Sequence, residues 1–195
     1  MAARHLLALA AAALLCSCGG GGPLGNPETV ANPAQAGGQK LSFAYFQRCV
    51  FPVLNTPLRS NVSGVISINT CASSGCHDDT FGTGGALRLR GGAAVQDLAL
   101  PAATLRASDM YRNYYSSLGA SAVGSADQSR LLNKPLVRNT LHGGGLIFET
   151  PDDAAAQLMR YWINRPMPSG QDEFSSAANT MFTPENPATG ACNTP

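Results

Sequence analysis

The segment "NTCASSGCHDD" (residues 69–79) constrains this chain more than any other. Two cysteines, Cys71 and Cys76, are followed directly by His77. A histidine placed immediately after a second cysteine is the arrangement that attaches a c-type haem. The two sulfurs form thioethers with the vinyl groups, and the imidazole lies beneath the iron as proximal ligand. The usual spacing has two residues between the cysteines; this chain has four. The insertion must bulge outward if the sulfurs are to reach two fixed vinyl positions. Ala72, Ser73, Ser74 and Gly75 impose little steric demand on such a bulge. The Cys76–His77 adjacency, which the geometry cannot relax, is kept. Two other readings use the same residues. One is a local Cys71–Cys76 disulfide with His77 on a surface loop. The other is a zinc site, made awkward by two adjacent ligands in one tetrahedron.

The first residues decide which redox environment those thiols meet. "MAARHLLALAAAALLCSCGG" opens with Arg4 and continues as an apolar run from Leu6 to Leu15. The run is short for a membrane span and fits the apolar region of an export signal. Leu15, Cys16 and Ser17 precede Cys18 in a pattern that resembles a bacterial lipoprotein cleavage box, with Cys18 as the lipidated residue. Cys16 is the poorer candidate, because Leu15 would stand where a small residue is expected. The alternative is an ordinary signal peptide without lipid. "GGGGPLGNPETVANPAQAGGQ" (19–39) then reads as a flexible tether. The expected organisation is a signal peptide over 1–17, a tether over 18–39 and one folded domain over 40–195. Export places the remaining thiols in an oxidising compartment. The cysteines left are Cys49, Cys71, Cys76 and Cys192, and the histidines are His77 and His142.

The net charge of +1, with 13% charged residues, gives no basic stripe and excludes electrostatic nucleic-acid binding. With 21 Gly and 13 Pro, long irregular loops are expected. "KLSFAYFQRCVFPVLNT" (40–56) carries Leu41, Phe43, Ala44, Phe46 and Val50 at helical intervals; Pro52 and Pro57 limit the helix, which ends near Phe51 or continues with a kink. "LRSNVSGVISINT" (58–70) reads as a connector. Residues 86–90, alternating Leu and Arg, suit a short extended piece. Residues 106–119 predict a helix with Ser108 as N-cap and Met110, Tyr111, Tyr114, Tyr115 and Leu118 as its stripe. A short helix within 125–137 stops at Pro135. The clearest helix lies in 150–166, with acidic residues at its start and Ala155, Leu158, Met159, Trp162 and Ile163 on one face.

Over roughly residues 40–166 the chain resembles the class I cytochrome c-like domains of bacterial exported proteins. The resemblance rests on "FQRCVFPVL" before the motif, then "CASSGCH", "GGALRLRGG", "DQSRLLNKPL" and the closing "LMRYWI". It implies a mainly α fold: cytochrome c-like helices around one haem, with long Gly/Pro-rich loops and little or no sheet. The first helix would run into the attachment motif and the last would cross it. The longer cysteine spacing departs from that family.

Family members most often place a methionine ligand before the C-terminal helix, but no Met lies between Met110 and Met159. In that place stands "TLHGGGLIFETPDD" (140–153). The simplest assignment is therefore bis-histidine, His77 proximal and His142 distal, with Leu141, Leu146, Ile147 and Phe148 covering the haem edge. Met167, in "NRPMPSG", is the alternative sixth ligand; Met110, Met159 and Met181 suit packing. If haem takes Cys71 and Cys76, Cys49 and Cys192 remain as a disulfide pair. Arg88 and Arg90 could flank haem propionates or stand solvated on a strand. The expected function is an exported, lipid-anchored monohaem c-type cytochrome passing single electrons to redox partner proteins, with one covalent haem c as cofactor. It would sit on the periplasmic side of the inner or outer membrane, as a carrier rather than an enzyme. The alternative is a haem-free, disulfide-stapled structural or interaction lipoprotein.

Overall fold

The structure, a computed structural model, describes residues 38–195. The signal peptide, Cys18 and nearly all of the tether lie outside the described residues. The first helical run comprises α1 (Phe43–Tyr45), a π-helical stretch (Phe46–Val50) and α2 (Phe51–Asn55). Ser42 caps it, its side chain accepting from the Tyr45 amide at 3.0 Å. The run passes through Pro52 and stops before Pro57. Its wide turn explains this, because the Phe51 amide donates five residues back, to Phe46. The extra residue shifts the register ahead of Pro52, which then sits in the first turn of α2, where a missing N–H costs least. Thr56, held extended before Pro57, ends the run.

Residues 58–69 form a β-hairpin rather than a connector. Strands β1 (Leu58–Val62) and β2 (Val65–Asn69) pair antiparallel, with Leu58 opposite Asn69 and Val62 opposite Val65. The turn is Ser63-Gly64, with φ of 51° and 86°. Two positive φ values match the twist of a two-residue hairpin. Helices α3 (Ala102–Ala107) and α4 (Asp109–Gly119) follow the extended stretch after the motif. Ser108 caps α4 by accepting from the Tyr111 amide at 3.1 Å. Met110 and Tyr114 are fully buried, whereas Tyr115 is 65% exposed and leaves the predicted stripe. A 3-10 turn (Ala126–Gln128) leads into α5 (Arg130–Asn133). Helix α6 (Ala154–Asn164) begins at Asp153, whose carboxylate accepts from the Ala155 amide at 2.8 Å. The C-terminal segment holds a 3-10 helix (Ser176–Met181) and the two-residue strands β3 (Phe182–Thr183) and β4 (Ala191–Cys192).

The core gathers around the first helical run. The Phe46 ring lies 5.3 Å from Trp162 of α6 and 5.7 Å from Tyr114 of α4. Both buried polar tips are satisfied. Trp162 donates to the Ser42 carbonyl at 2.8 Å and Tyr114 to the Leu41 carbonyl at 2.8 Å. Aromatic rings thereby pin α4 and α6 to the residues that open α1. A Cys49–Cys192 disulfide ties the π-helical stretch to β4, with 6.0 Å between the Cα atoms.

Candidate functional site

Beside this core lies a cavity of about 1260 Å³, larger than most ligand pockets. Cys71, Cys76, His77 and His142 all line it, together with Phe148 and Met159. The described structure thus brings together four of the residues singled out by sequence.

The motif is a tight turn. The His77 amide donates to the Cys71 carbonyl at 2.9 Å and the Cys76 amide to the Ser73 carbonyl at 2.9 Å. The extra residues project outward: Ser74 and Gly75 are exposed, while Ala72 is buried. Cys71 and Cys76 are free thiols, half-buried, with no bond between them. Burial, and then the neighbouring Cys76, push the Cys71 thiol up to about 11. In that state it is a thiol at neutral pH and a slow partner for disulfide exchange.

The stretch 87–90 holds His77 in place. The Leu89 amide donates to the His77 carbonyl at 2.7 Å, and the Asp79 amide donates to the Leu89 carbonyl at 2.9 Å. Helix α4 fixes that stretch in turn. The buried Asn113 accepts from the Arg90 amide at 2.7 Å and donates to the Arg90 carbonyl at 3.0 Å, while Ser116 accepts from the Arg88 amide at 2.7 Å. Nδ1 of His77 lies 3.2 Å from the Leu87 carbonyl. A carbonyl only accepts, so Nδ1 carries the proton and Nε2 the free lone pair. Burial holds this imidazole below its ordinary range. The positive charges of Arg88 and Lys134 and the His142 ring act the same way, against the Leu87 bond. A neutral imidazole with its second nitrogen anchored is the form that binds a metal.

His142 is anchored in the same manner. Its Nδ1 lies 2.7 Å from the Gly145 carbonyl, again leaving Nε2 as the lone pair. The two imidazoles are near parallel, at 10°, with centroids 6.3 Å apart. Two imidazoles that bind one metal ion can have ring centres up to about 6.3 Å apart: two bonds of about 2.0–2.1 Å plus about 1.1 Å from each nitrogen to its ring centre. The spacing, the anchored Nδ1 atoms and the adjacent thiols fit a covalently attached haem with two axial histidines. Among the described residues no three His, Cys, Asp or Glu side chains cluster as a cation cage, so Cys71, Cys76 and His77 do not converge as a zinc site.

Several sequence expectations are corrected here. Met167 is buried in the core, its amide donating to the Lys40 carbonyl at 2.7 Å, and it does not line the cavity. The chain after α6 runs back along residue 40 rather than toward the thiols. Leu141 is 89% exposed and covers nothing, and Leu146 is engaged with Asn61; only Ile147 and Phe148 of that group line the cavity. Arg90 is neutralised by Asp79 at 2.8 Å and Asp109 at 2.7 Å. Arg88, Arg130 and Lys134 line the cavity with no carboxylate partner among the described residues. The sequence reading missed Met159 as a wall residue, because its helical stripe marks it only as apolar. It also missed the whole β1–β2 wall, for which the Val62-Ser63-Gly64-Val65 turn was the available signal. Comparison with family models, with curated protein sequences and with solved structures returns no match.

Proposed function

We propose that this protein is an exported, lipid-anchored c-type cytochrome that carries one covalent haem and passes single electrons between redox partner proteins. When bound, the haem supplies a reversible one-electron iron couple. Cys71 and Cys76 would hold it through their sulfurs. His77 and His142 would ligate its metal through Nε2, each with Nδ1–H anchored on a backbone carbonyl. The observation that carries this reading is the pair of near-parallel imidazoles, 6.3 Å apart, beside two unbonded thiols.

The residues around the haem place do two things. Met159, Phe148 and Leu131 exclude water from one side of the cavity. Arg88, Arg130 and Lys134 give its rim positive charge suited to carboxylates. Ligation by both His77 and His142 would leave the metal no position for a substrate, which suits an electron carrier rather than a catalyst. Imidazole in place of a thioether sets a lower reduction potential than a His/Met pair would.

The test is expression with a cytochrome c maturation system. The mature protein should gain one tetrapyrrole mass that survives acid–acetone extraction, and its ferric spectrum should be low spin. His142→Ala should convert it to high spin with the haem still attached. A colourless product with Cys71 and Cys76 bridged to each other overturns the proposal in favour of a stapled, cofactor-free module.

A further inference from the structure

We propose that strand β1 is a positioning element for His142, acting through Ser60, Asn61 and Gly145. The inference rests on the axial role of His142 given above. The His142 loop is joined to β1 as an additional strand would be. The Asn61 amide donates to the Leu146 carbonyl at 3.0 Å, and the Leu146 amide donates to the Asn61 carbonyl at 3.0 Å. The Ser60 hydroxyl donates to the Gly144 carbonyl. Three successive carbonyls are thus assigned. That of Gly144 goes to Ser60, that of Leu146 to Asn61, and that of Gly145, between them, to Nδ1 of His142 at 2.7 Å. The Gly145 amide donates back to the His142 carbonyl at 2.9 Å, closing a turn around the imidazole. The ring's orientation is therefore set by a peptide that β1 holds on both sides.

Gly145 admits this approach because it has no side chain. Its φ is +70°, and an added Cβ would stand 2.1 Å from the Asn61 carbonyl oxygen and 2.9 Å from a Val62 methyl. The hairpin draws little on the core. Every residue of β2 is exposed, and in β1 only Ser60 is buried. Its inner face, Leu58, Ser60 and Val62 opposite Asn69, Ser67 and Val65, lines the cavity through all but Val65. A strand that meets the core so sparingly, yet has both backbone groups of Asn61 committed to the His142 loop, serves that loop.

The test uses the haem-loaded protein with Ser60→Ala, Ser60→Thr, Gly145→Ala and, as reference, His142→Ala. The readouts are the ferric spin state, the affinity for added imidazole and amide exchange at Leu146. Gly145→Ala should raise the high-spin fraction, unprotect the Leu146 amide and bind imidazole at least about tenfold tighter. Ser60→Ala should bind it roughly three- to tenfold tighter, the equivalent of one net hydrogen bond. Ser60→Thr, which keeps the hydroxyl, should restore wild-type behaviour. If Gly145→Ala does not accumulate, the Ser60→Ala and Ser60→Thr pair decides. Wild-type spectra and imidazole affinity in Ser60→Ala and Gly145→Ala, beside a high-spin His142→Ala, would show that the loop holds itself and would overturn the inference. An unchanged spectrum in His142→Ala is a different result. It removes the axial assignment and the positioning role together, without touching the covalent attachment.

Discussion

His77 sits in a space that leaves no room for variation around it. A Cβ on Gly84 would stand 2.4 Å from Nδ1 of His77, 2.6 Å from its Cε1 and 2.7 Å from the Cys76 carbonyl oxygen. The last of these cannot swing away, because the Gly84 amide already donates to that carbonyl at 2.7 Å. One methyl group therefore has to displace either the ring or the turn that carries Cys76. Gly84→Ala is expected to destabilise the protein by about 1–3 kcal/mol, the range for overpacking a filled site. It should also lower the fraction of chains that carry haem, since ring and thiols lose their common frame. A thermal melt and the haem-to-protein ratio of the matured product check this. A variant with wild-type melting and full haem content would mean that the turn yields more easily than its hydrogen bonds imply. The same crowding explains why Nδ1, close against the Gly84 Cα and the Leu87 carbonyl, faces away from metal chemistry while Nε2 is left for it.

At the scale of elements, what could be read from the chain was whatever repeats locally. Ser108 announces a helix as a cap before a run of apolar residues, and the acidic start of α6 announces another; Ser108 and Asp153 both accept backbone amides there. Pro52 leaves two outcomes open in the sequence, and the helix continues past it because a wide turn absorbs the missing donor, a turn that no periodicity reports. The hairpin went unread because its pattern is inverted: Ile66 and Ile68 of β2 are exposed, while Ser60, Ser67 and Asn69 line the cavity, so apolar alternation does not mark the inner face. Cys71, Cys76 and His77 declare themselves by adjacency, and His142 by being the other histidine left. The carbonyls of Leu87 and Gly145, which orient both rings, are backbone and leave no trace in residue type. Glu173 shows the same limit. It reads as a loop acid, yet it is 2% exposed. It accepts from Arg106 of α3 at 2.9 Å and from Tyr111 of α4 at 2.7 Å, while the Phe43 amide donates to its carbonyl at 2.9 Å. Burial opposes its ionised form, but the Arg106 guanidinium and the other donors outweigh that and hold the carboxyl below the usual carboxylate range. A carboxyl lowered in the folded state contributes stability that is complete above the unfolded value of about 4.3. That stability is lost as pH falls through the folded value. Glu173→Gln should cost about 1.5–3 kcal/mol at pH 7, nearer the lower figure because Arg106 is half-exposed. Below about pH 4 its melting temperature should fall less steeply than that of the wild type. Parallel acid limbs in the two proteins would show that other carboxylates carry the acid sensitivity.

Over the whole molecule the four cysteines of the described residues divide into two pairs with separate tasks. Cys71 and Cys76 line the cavity as thiols, and Cys49 and Cys192 are joined outside it. The joined pair spans 143 residues of sequence, so the loop it closes contains the hairpin, the motif, both histidines and helices α3 to α6. Constraining so long a loop in the unfolded chain is worth about 4–5 kcal/mol in the chain-entropy model. The folded ends have other ties, since Tyr45 donates to the Asn193 carbonyl and the Asn193 amide donates to the Met181 carbonyl at 3.1 Å. These keep the C-terminal strand near the first helical run when the bond is cut, so the loss should appear in stability and not in site geometry. Cys49→Ala/Cys192→Ala is expected to lower the melting temperature by about 8–20 °C, at roughly 2–4 °C per kcal/mol for a domain of this size. The spin state of the haem-loaded protein should not change below that transition. A scanning melt followed by absorbance and by circular dichroism reads both quantities from one sample. A drop of only a few degrees would show that the unfolded chain keeps its two ends close without the bond. A shift to high spin well below the unfolding transition would show that strain passes from the staple through α1 and α2 to the motif, making the two cysteine pairs one mechanical unit.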